Sequence, residues 1–378
     1  MQLKHLKIGM IKGGQLGRMF LQAALKYPVS VHVMDSEEDP PCRGFCAGFV
    51  RGNPLDAEAV YRFGKDLDAV TIEFEHVNAD GLEKLEKSGV QVFPRPQVIR
   101  MIQDKGLQKQ RYRQLGIPTA DFFLIQSRQD LIQHTDFLPA VQKLRVSGYD
   151  GKGVLKMRTP EDFPAAFDAP SVLEKEIPFV KEIAVIGARG RSGDIEIYPT
   201  AEIVMDPQLH LLDYLLAPAD VSETVHRKAA EVTRRLLVEL DYVGVLAVEM
   251  FVTREGEVLV NEIAPRPHNS GHHTIEACLT SQYEQQLRAL IGLPLGPAEQ
   301  VSAAAIVNLL GEAGHSGPAS YEGLSKALDA KGVYVHLYGK KETRPFRKMG
   351  HLTVLRPLAR EAIQIAKAVS REIKIKAS

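Results

Sequence analysis

The first hundred residues alternate short apolar runs with segments of helical pattern, and that alternation constrains the fold more than any other feature of the chain. Leu6 to Ile11 reads as a strand and runs into Gly13-Gly14-Gln15-Leu16-Gly17-Arg18. A helix follows through Met19, Phe20, Leu21 and Leu25. Val29 to Met34 reads as a second strand ending at Asp35, Ala69 to Phe74 as a third, and Val90 to Phe93 as a fourth. Strands separated by helices predict a parallel sheet covered on both faces.

Pro94-Arg95-Pro96 breaks the pattern, because proline fits neither element interior, and sets the first domain boundary. Residues from about Gln97 to Leu115 read as one helix, stopped by Gly116-Ile117-Pro118. A strand-rich stretch follows, with a glycine-rich insertion at Gly148 to Gly153. Ser222 to Leu240 reads as a long helix with Ser222 at its N-cap and Glu223 in its first turn. Val245 to Val252 and Val258 to Ile263 are apolar strands, and Gly292 to Pro297 is a linker. Ala303 to Leu309, Val333 to Tyr338 and His351 to Leu355 read as short strands before a helix from about Glu361 to Ile373. The expected division is 1–98, 99–297 and 298–378, in keeping with a 378-residue chain at about 100–200 residues per domain.

Composition excludes several classes of function. Lys plus Arg and Asp plus Glu are both 47, so the chain lacks the basic excess of a nucleic-acid or anionic-membrane binder. Three cysteines exclude a disulfide framework and fit a reducing cytosol. Lys4, Lys7 and Lys12 interrupt the N-terminal segment, so no signal peptide is expected. No apolar run approaches the length of about 18 residues that a membrane helix needs. The expectation is a soluble cytoplasmic protein.

Five motifs carry chemistry. The glycine turn after the first strand is either a tight turn or a cradle whose amides and helix terminus receive a phosphate, with Lys12 and Arg18 adding charge. As a dinucleotide fingerprint it lacks its first glycine, since Lys12 stands there, although Asp35 lies where a ribose-binding acid belongs. Gly148-Tyr149-Asp150-Gly151-Lys152-Gly153 follows Lys143 on an apolar strand, and reads as a hairpin tip or as a loop covering phosphates. The third motif is a hairpin. A two-residue turn at Glu255-Gly256 sets Glu249 directly opposite Glu262. Like charges so placed need a cation or a raised pKa, unless the turn is longer and one side chain meets solvent. Carboxylates with substrate phosphates hold Mg²⁺ in phosphoryl-transfer sites. Pro265-Arg266-Pro267-His268-Asn269 is a stiff polar loop suited to an anionic substrate. His268, His272 and His273 lie on a glycine-containing loop without the ligand set of a zinc site, and the Cys42/Cys46 pair likewise lacks one. Lys340, Lys341, Arg344, Arg347 and Lys348 form a basic cluster, either a phosphate site or a solvated face.

Together these motifs resemble the ATP-grasp superfamily and, within it, the 5-(carboxyamino)imidazole ribonucleotide synthetase family. The resemblance runs from Gly13 to about Thr353 and is carried by Gly13 to Met19, Thr71 to Glu75, Gly148 to Gly153, Asn261 to His272 and Arg347 to His351. It implies an α/β and α+β fold: a Rossmann-like N-terminal domain, a two-part ATP-grasp domain and a small strand-rich C-terminal domain. The implied reaction is ATP-dependent carboxylation of 5-aminoimidazole ribonucleotide with bicarbonate, in de novo purine synthesis. ATP and Mg²⁺ are the implied cofactors and a homodimer the implied assembly. Glu249 and Glu262 would hold the metal. Lys105, Lys143, Gly148, Gly151, Gly153, Asn261, the segment Glu174-Lys175-Glu176-Ile177 and Glu182 would bind ATP. Tyr149, Asp150, Lys152 and Arg266 would serve the carboxylation. Gln15, Glu73, His268, Asn269, Lys340, Arg347 and Lys348 would bind the ribonucleotide. The chain departs from the family at Lys12, where a glycine is usual, and at Met205, where a histidine is usual. The rival readings are a formate-dependent glycinamide ribonucleotide transformylase, an NAD-dependent oxidoreductase and a non-catalytic nucleotide sensor.

Overall fold

The computed structural model describes residues 5–146, 153–206 and 212–378. The N-terminal unit is built from β1 (Leu6–Ile11), α1 (Gln15–Ala24), β2 (Val29–Asp35), β3 (Gly48–Arg51), α2 (Ala57–Gly64), β4 (Ala69–Ile72), α3 (Ala79–Lys87) and β5 (Gln91–Val92). Its sheet is parallel in the order β3-β2-β1-β4-β5. Val33, Val70 and Ile11 are wholly buried, as strands covered on both faces require. Strand β3 escapes sequence reading because it is a half-exposed edge with too few apolar residues to show a pattern.

The expected helix from Gln97 to Leu115 is two helices, α4 (Pro96–Gln103) and α5 (Lys105–Leu115). Asp104 separates them in an extended conformation and caps α5 by accepting from the amides of Gly106 and Leu107. Arg145 holds Asp104 there with two N–H groups, at 2.8 and 2.5 Å. Lys105 therefore opens a helix instead of lying within one.

An antiparallel sheet follows: β6 (Phe122–Ile125), β7 (Ala140–Leu144), β8 (Val154–Met157) and β9 (Ser171–Lys175), in the order β6-β9-β7-β8. The central sheet begins with β10 (Phe179–Arg189), β11 (Ile195–Ile197), β12 (Ala201–Met205) and β13 (Leu212–Ala217). Then come α6 (Glu223–Glu239), β14 (Gly244–Thr253), β15 (Val258–Ala264), α7 (Thr274–Ala277) and α8 (Gln282–Ile291). Ser222 caps α6 as its sequence suggests. The apolar stripe Val225, Ala229, Leu236 and Leu237 buries against Ile183, Val248 and Met250 of the sheet. That packing closes one face and leaves the other to a cleft.

The rest of the chain is β16 (Ala303–Leu310), β17 (Gly317–Glu322), α9 (Leu324–Leu328), β18 (Val333–Leu337), β19 (Glu342–Thr343), β20 (Lys348–Arg356), α10 (Ala359–Glu372) and β21 (Lys374–Ala377). Strands β16, β20 and β18 extend the central sheet, whose order is β15-β14-β10-β12-β13-β16-β20-β18. Strands β17, β19 and β21 make a small sheet of their own. Helix α8 ties the units together, with Tyr283, Leu287 and Leu290 in one core with Phe20 and Leu21 of α1.

Candidate active site

The hairpin β14–β15 places the two glutamates opposite each other, but not by the expected turn. Thr253 pairs with Glu257 across the three residues 254–256, with Gly256 at φ +74°. From there Val252 faces Val258 and Met250 faces Val260. One residue, Asn261, is then extra, and this bulge restores Glu249 to a place facing Glu262. A longer turn and a bulge offset each other. Glu182 of β10, opposite Phe251, lies diagonally from Glu249 on the same face, because Ala184 is the partner of Glu249. Three carboxylates thus share one face of the sheet.

Their electrostatics differ. Burial, with the charges of Glu262 and Glu182, pushes the Glu249 carboxyl up to about 8. Burial and Glu262 push Glu182 up to about 7. Burial acts on Glu262 too, but Lys105 and Lys143 hold its carboxyl well below the usual range. Lys105 Nζ lies 3.0 Å from Glu262 Oε2, so the first residue of α5 reaches the hairpin.

A second layer lies beneath. Lys143 on β7 donates to Asn261 Oδ1 at 2.9 Å and to Glu174 Oε2 at 3.1 Å. The same Glu174 oxygen meets Lys109 Nζ at 3.1 Å. Sequence reasoning missed Lys109, although its place four residues after Lys105 puts both on one helix face. Glu174, the first residue of the expected hinge, is 4% exposed and its side chain is paired to two lysines. The Lys175 ammonium is turned to the carbonyls of Phe137 and Leu138, at 2.9 and 3.0 Å. The Glu176 amide donates to Pro139 O and the Ile177 carbonyl accepts from Phe179 N. Gly153 has φ +74° and its carbonyl accepts from Leu144 N. Gly148, Tyr149, Asp150, Gly151 and Lys152 lie outside the described residues.

On the other side of the glutamates, Arg266 makes a two-pronged contact with Glu75, at 2.6 and 3.3 Å. Arg266 lowers the Glu75 carboxyl although burial opposes it. His268 Nε2 stands 3.5 Å from Glu249, and burial first, then Arg266, lowers its imidazole to about 3, so it is neutral. Asn269 opens a 3-10 turn, Asn269–Gly271, directly after it.

At the glycine turn the amides meet a side chain of the protein. Glu73 accepts hydrogen bonds from the amides of Gly14 and, at 2.9 Å, Leu16. A carboxylate of the chain itself thus occupies the α1 N-terminus, where a ligand phosphate was one of the two readings. Glu73 serves α1 through both oxygens. Lys12 is paired with Asp35 at 2.7 Å, and Asp35 also accepts from Gly13 N. Neither the Lys12 charge nor the ribose acid is free for a ligand.

The basic cluster lies beside this turn. Gly339 has φ +75°, and a Cβ there would stand 2.6 Å from a guanidinium nitrogen of Arg18. Arg18 Nε is buried with no partner among the described residues. Lys340 donates to Lys348 O at 2.6 Å, and burial, then Arg347, lowers its ammonium to about 8. Arg347 donates to Glu342 O at 2.7 Å. Lys340 therefore gathers with Arg347 and Lys348, and Gly339 next to it lies against Arg18 of α1, an added cation. Behind them His272, His351 and His336 stack at centroid spacings of 4.5 Å, the first two buried and His336 partly exposed, between the Arg266–His273 loop and strands β20 and β18. Tyr283 and Tyr338 are hydrogen-bonded to His272 and His351.

Two antiparallel sheets facing each other across paired glutamates and lysines define an ATP-grasp protein, and a profile described as "ATP-grasp domain" matches residues 110–283. Profiles described as "Ribonucleotide synthetase preATP-grasp domain" and "Phosphoribosylaminoimidazole carboxylase C-terminal domain" match residues 5–103 and 304–365. The chain belongs to the N5-carboxyaminoimidazole ribonucleotide synthase family: it is 38% identical over 356 residues to the Synechococcus elongatus synthase, covering 92% of this chain and 89% of that protein. The crystal structure of the N5-carboxyaminoimidazole ribonucleotide synthetase from Thermotoga maritima superposes with a TM-score of 0.91 at 38% identity, covering 99% of this chain and 100% of that one. The chloroplastic phosphoribosylaminoimidazole carboxylase of Vigna aconitifolia is 40% identical over 362 residues, 93% of this chain, and the chain spans 64% of that protein's length.

Proposed function

We propose that the chain carboxylates 5-aminoimidazole ribonucleotide with ATP and bicarbonate, giving N5-carboxyaminoimidazole ribonucleotide, ADP and phosphate. The observation that carries this reading is the Glu249–Glu262 pair, flanked by Lys105 and Lys143 on one side and by Arg266 on the other. The lysines suit ATP phosphates and the guanidinium suits a small planar anion.

Among the described residues no group of three or more His, Cys, Asp or Glu has metal-holding geometry. Two facing carboxylates completed by phosphate oxygens are instead the donor set of Mg²⁺. Glu249 and Glu262 would hold it, and it would neutralise charge on the transferring phosphoryl group. Lys105 and Lys143, with Asn261, orient the nucleotide phosphates, and Glu182 takes the ribose hydroxyls. Bicarbonate takes the γ-phosphoryl group to form carboxyphosphate, with Arg266, fixed by Glu75, holding its carboxylate. The exocyclic amine of the ribonucleotide then gains the carboxyl group, directly or through released CO₂, and phosphate leaves. His268 and Asn269 line the ring side, with Gln15 beside them. Lys340, Arg347, Lys348 and Arg18 hold the ribonucleotide phosphate.

The Cys42, Cys46 and Cys278 thiols are free, which supports a cytoplasmic setting. Among the described residues no helix is long and apolar enough to cross a membrane. Leu25 and Phe45 expose apolar surface beside a groove lined by Leu21, Ala24 and Val31, which supports pairing with a second copy. Light scattering tests that assembly. The activity is tested by ADP release from Mg²⁺-ATP, omitting bicarbonate and ribonucleotide in turn. Release that needs the ribonucleotide supports the reading, and release only with formate and glycinamide ribonucleotide overturns it.

A further inference from the structure

We propose that Lys109 is a positioning residue: by sharing the Glu174 carboxylate with Lys143, it keeps the Lys143 ammonium at the cleft, within reach of the ATP phosphates. The inference rests on the reading above, in which Lys143 serves the nucleotide.

Lys109 cannot itself meet a ligand, since its side chain is 2% exposed. Its ammonium is fixed between two partners, Glu174 at 3.1 Å and Thr119 Oγ1 at 2.6 Å. Thr119 in turn donates to Val260 O at 2.7 Å, next to the Asn261 bulge. The network therefore ties α5 to both β9 and β15. Lys143 is more open, at 15%, and is drawn two ways, toward Glu174 and toward Asn261. A buried carboxylate left with a single cation holds it tightly, because an unpaired buried charge is costly. With Lys109 present, that demand is divided, and Lys143 keeps its contact with the bulge. Without Lys109, Glu174 draws Lys143 inward.

The charged and titratable groups around Lys109 are Glu174 on β9, Lys143 on β7, and Lys105 and Tyr112 on its own helix, with Glu262 on β15 beyond Lys105. Burial lowers the Lys109 ammonium to about 8, with Lys143 and Lys105 adding to the shift against the attraction of Glu174. Below that pH the carboxylate is shared. Above it Lys109 is neutral and Glu174 claims Lys143. The KM for ATP should therefore rise as pH passes about 8.

The test is steady-state kinetics of Lys109→Met, Lys109→Met with Glu174→Gln, and Lys143→Met. The expected result for Lys109→Met is an increase of about tenfold in KM for ATP, with KM for the ribonucleotide unchanged and the alkaline limb lost. The double variant should recover to within about threefold of wild type, because nothing then holds Lys143 back. A general loss of packing would raise both KM values and would not be rescued by a second core change, and that result overturns the proposal. If Lys109→Met does not fold, Thr119→Val removes one of the two partners of Lys109 and should raise KM for ATP by about threefold; an unchanged KM and pH limb overturn the proposal. Lys143→Met separates the two readings. An unchanged KM for ATP in that variant defeats the nucleotide reading and the inference with it. A raised KM there, with Lys109→Met silent, defeats the inference alone.

Discussion

At the scale of the residue, Glu249 is held against its own stability. It faces Glu262 and Glu182 and is pushed up to about 8. Glu249→Gln removes the cost of keeping that carboxyl protonated in the folded state at neutral pH, so the melting temperature should rise by about 1–3 °C while kcat falls by on the order of a hundredfold or more. Differential scanning fluorimetry and an ADP-release assay check the two halves. The raised value also has a linkage consequence. At pH 7 Glu249 carries a proton that Mg²⁺-nucleotide must displace, so binding should tighten from pH 6 to 8 and release a proton. Calorimetry in two buffers of different ionisation enthalpy reads that proton directly. The glutamates were legible in the sequence because an acid on an apolar strand breaks the local pattern. Lys109 and Glu174 were not, since Lys109 sits on a polar helix and its partner is 65 residues away. The glycine turn was legible as a turn, but no local signal shows that Glu73 fills it.

At the scale of the element, the hairpin shows how much a strand register carries. The face-to-face pairing was foreseen from a two-residue turn, and it arises from a three-residue turn and the Asn261 bulge. Turn length and bulge are each invisible to an alternation pattern, and only their combined effect on register matters. Deleting Asn261 would continue the regular pairing and keep Glu262 opposite Glu249, but would take away the amide oxygen that Lys143 meets at 2.9 Å. KM for ATP should rise by about tenfold while circular dichroism stays that of the folded protein. The split of α4 from α5 was equally hidden. Asp104 reads as an ordinary helix-surface acid until Arg145 is seen holding it as a cap. Asp104→Ala should cost about 1 kcal/mol in denaturant unfolding and raise KM for ATP, because Lys105 loses its fixed start.

At the scale of the whole molecule, the histidine stack joins the Arg266–His273 loop to the C-terminal strands. Burial holds His272 and His351 well below the ordinary imidazole range and lowers His273 to about 4. An imidazole whose folded pKa is depressed stabilises the protein above its unfolded value of about 6.5 and loses that contribution as pH falls below it. The melting temperature should therefore drop steeply between pH 6.5 and 5, and His351→Gln should flatten the drop. The order of the units was readable from strand–helix alternation, but the continuation of the central sheet through β16 and β20 was not, because sheet order is set by contacts far apart in sequence. That continuity has a metric consequence. The glutamates on β14 and β15 and the cations on and beside β20 belong to one hydrogen-bonded sheet, which brings His351 against the loop that follows β15. On the proposed reading, the gap between the two substrates is therefore ruled off by backbone, like the fixed jaw of a gauge. A ribonucleotide whose phosphate sits one bond farther from its ring would still find both ends of the site, yet would present its amine off the mark.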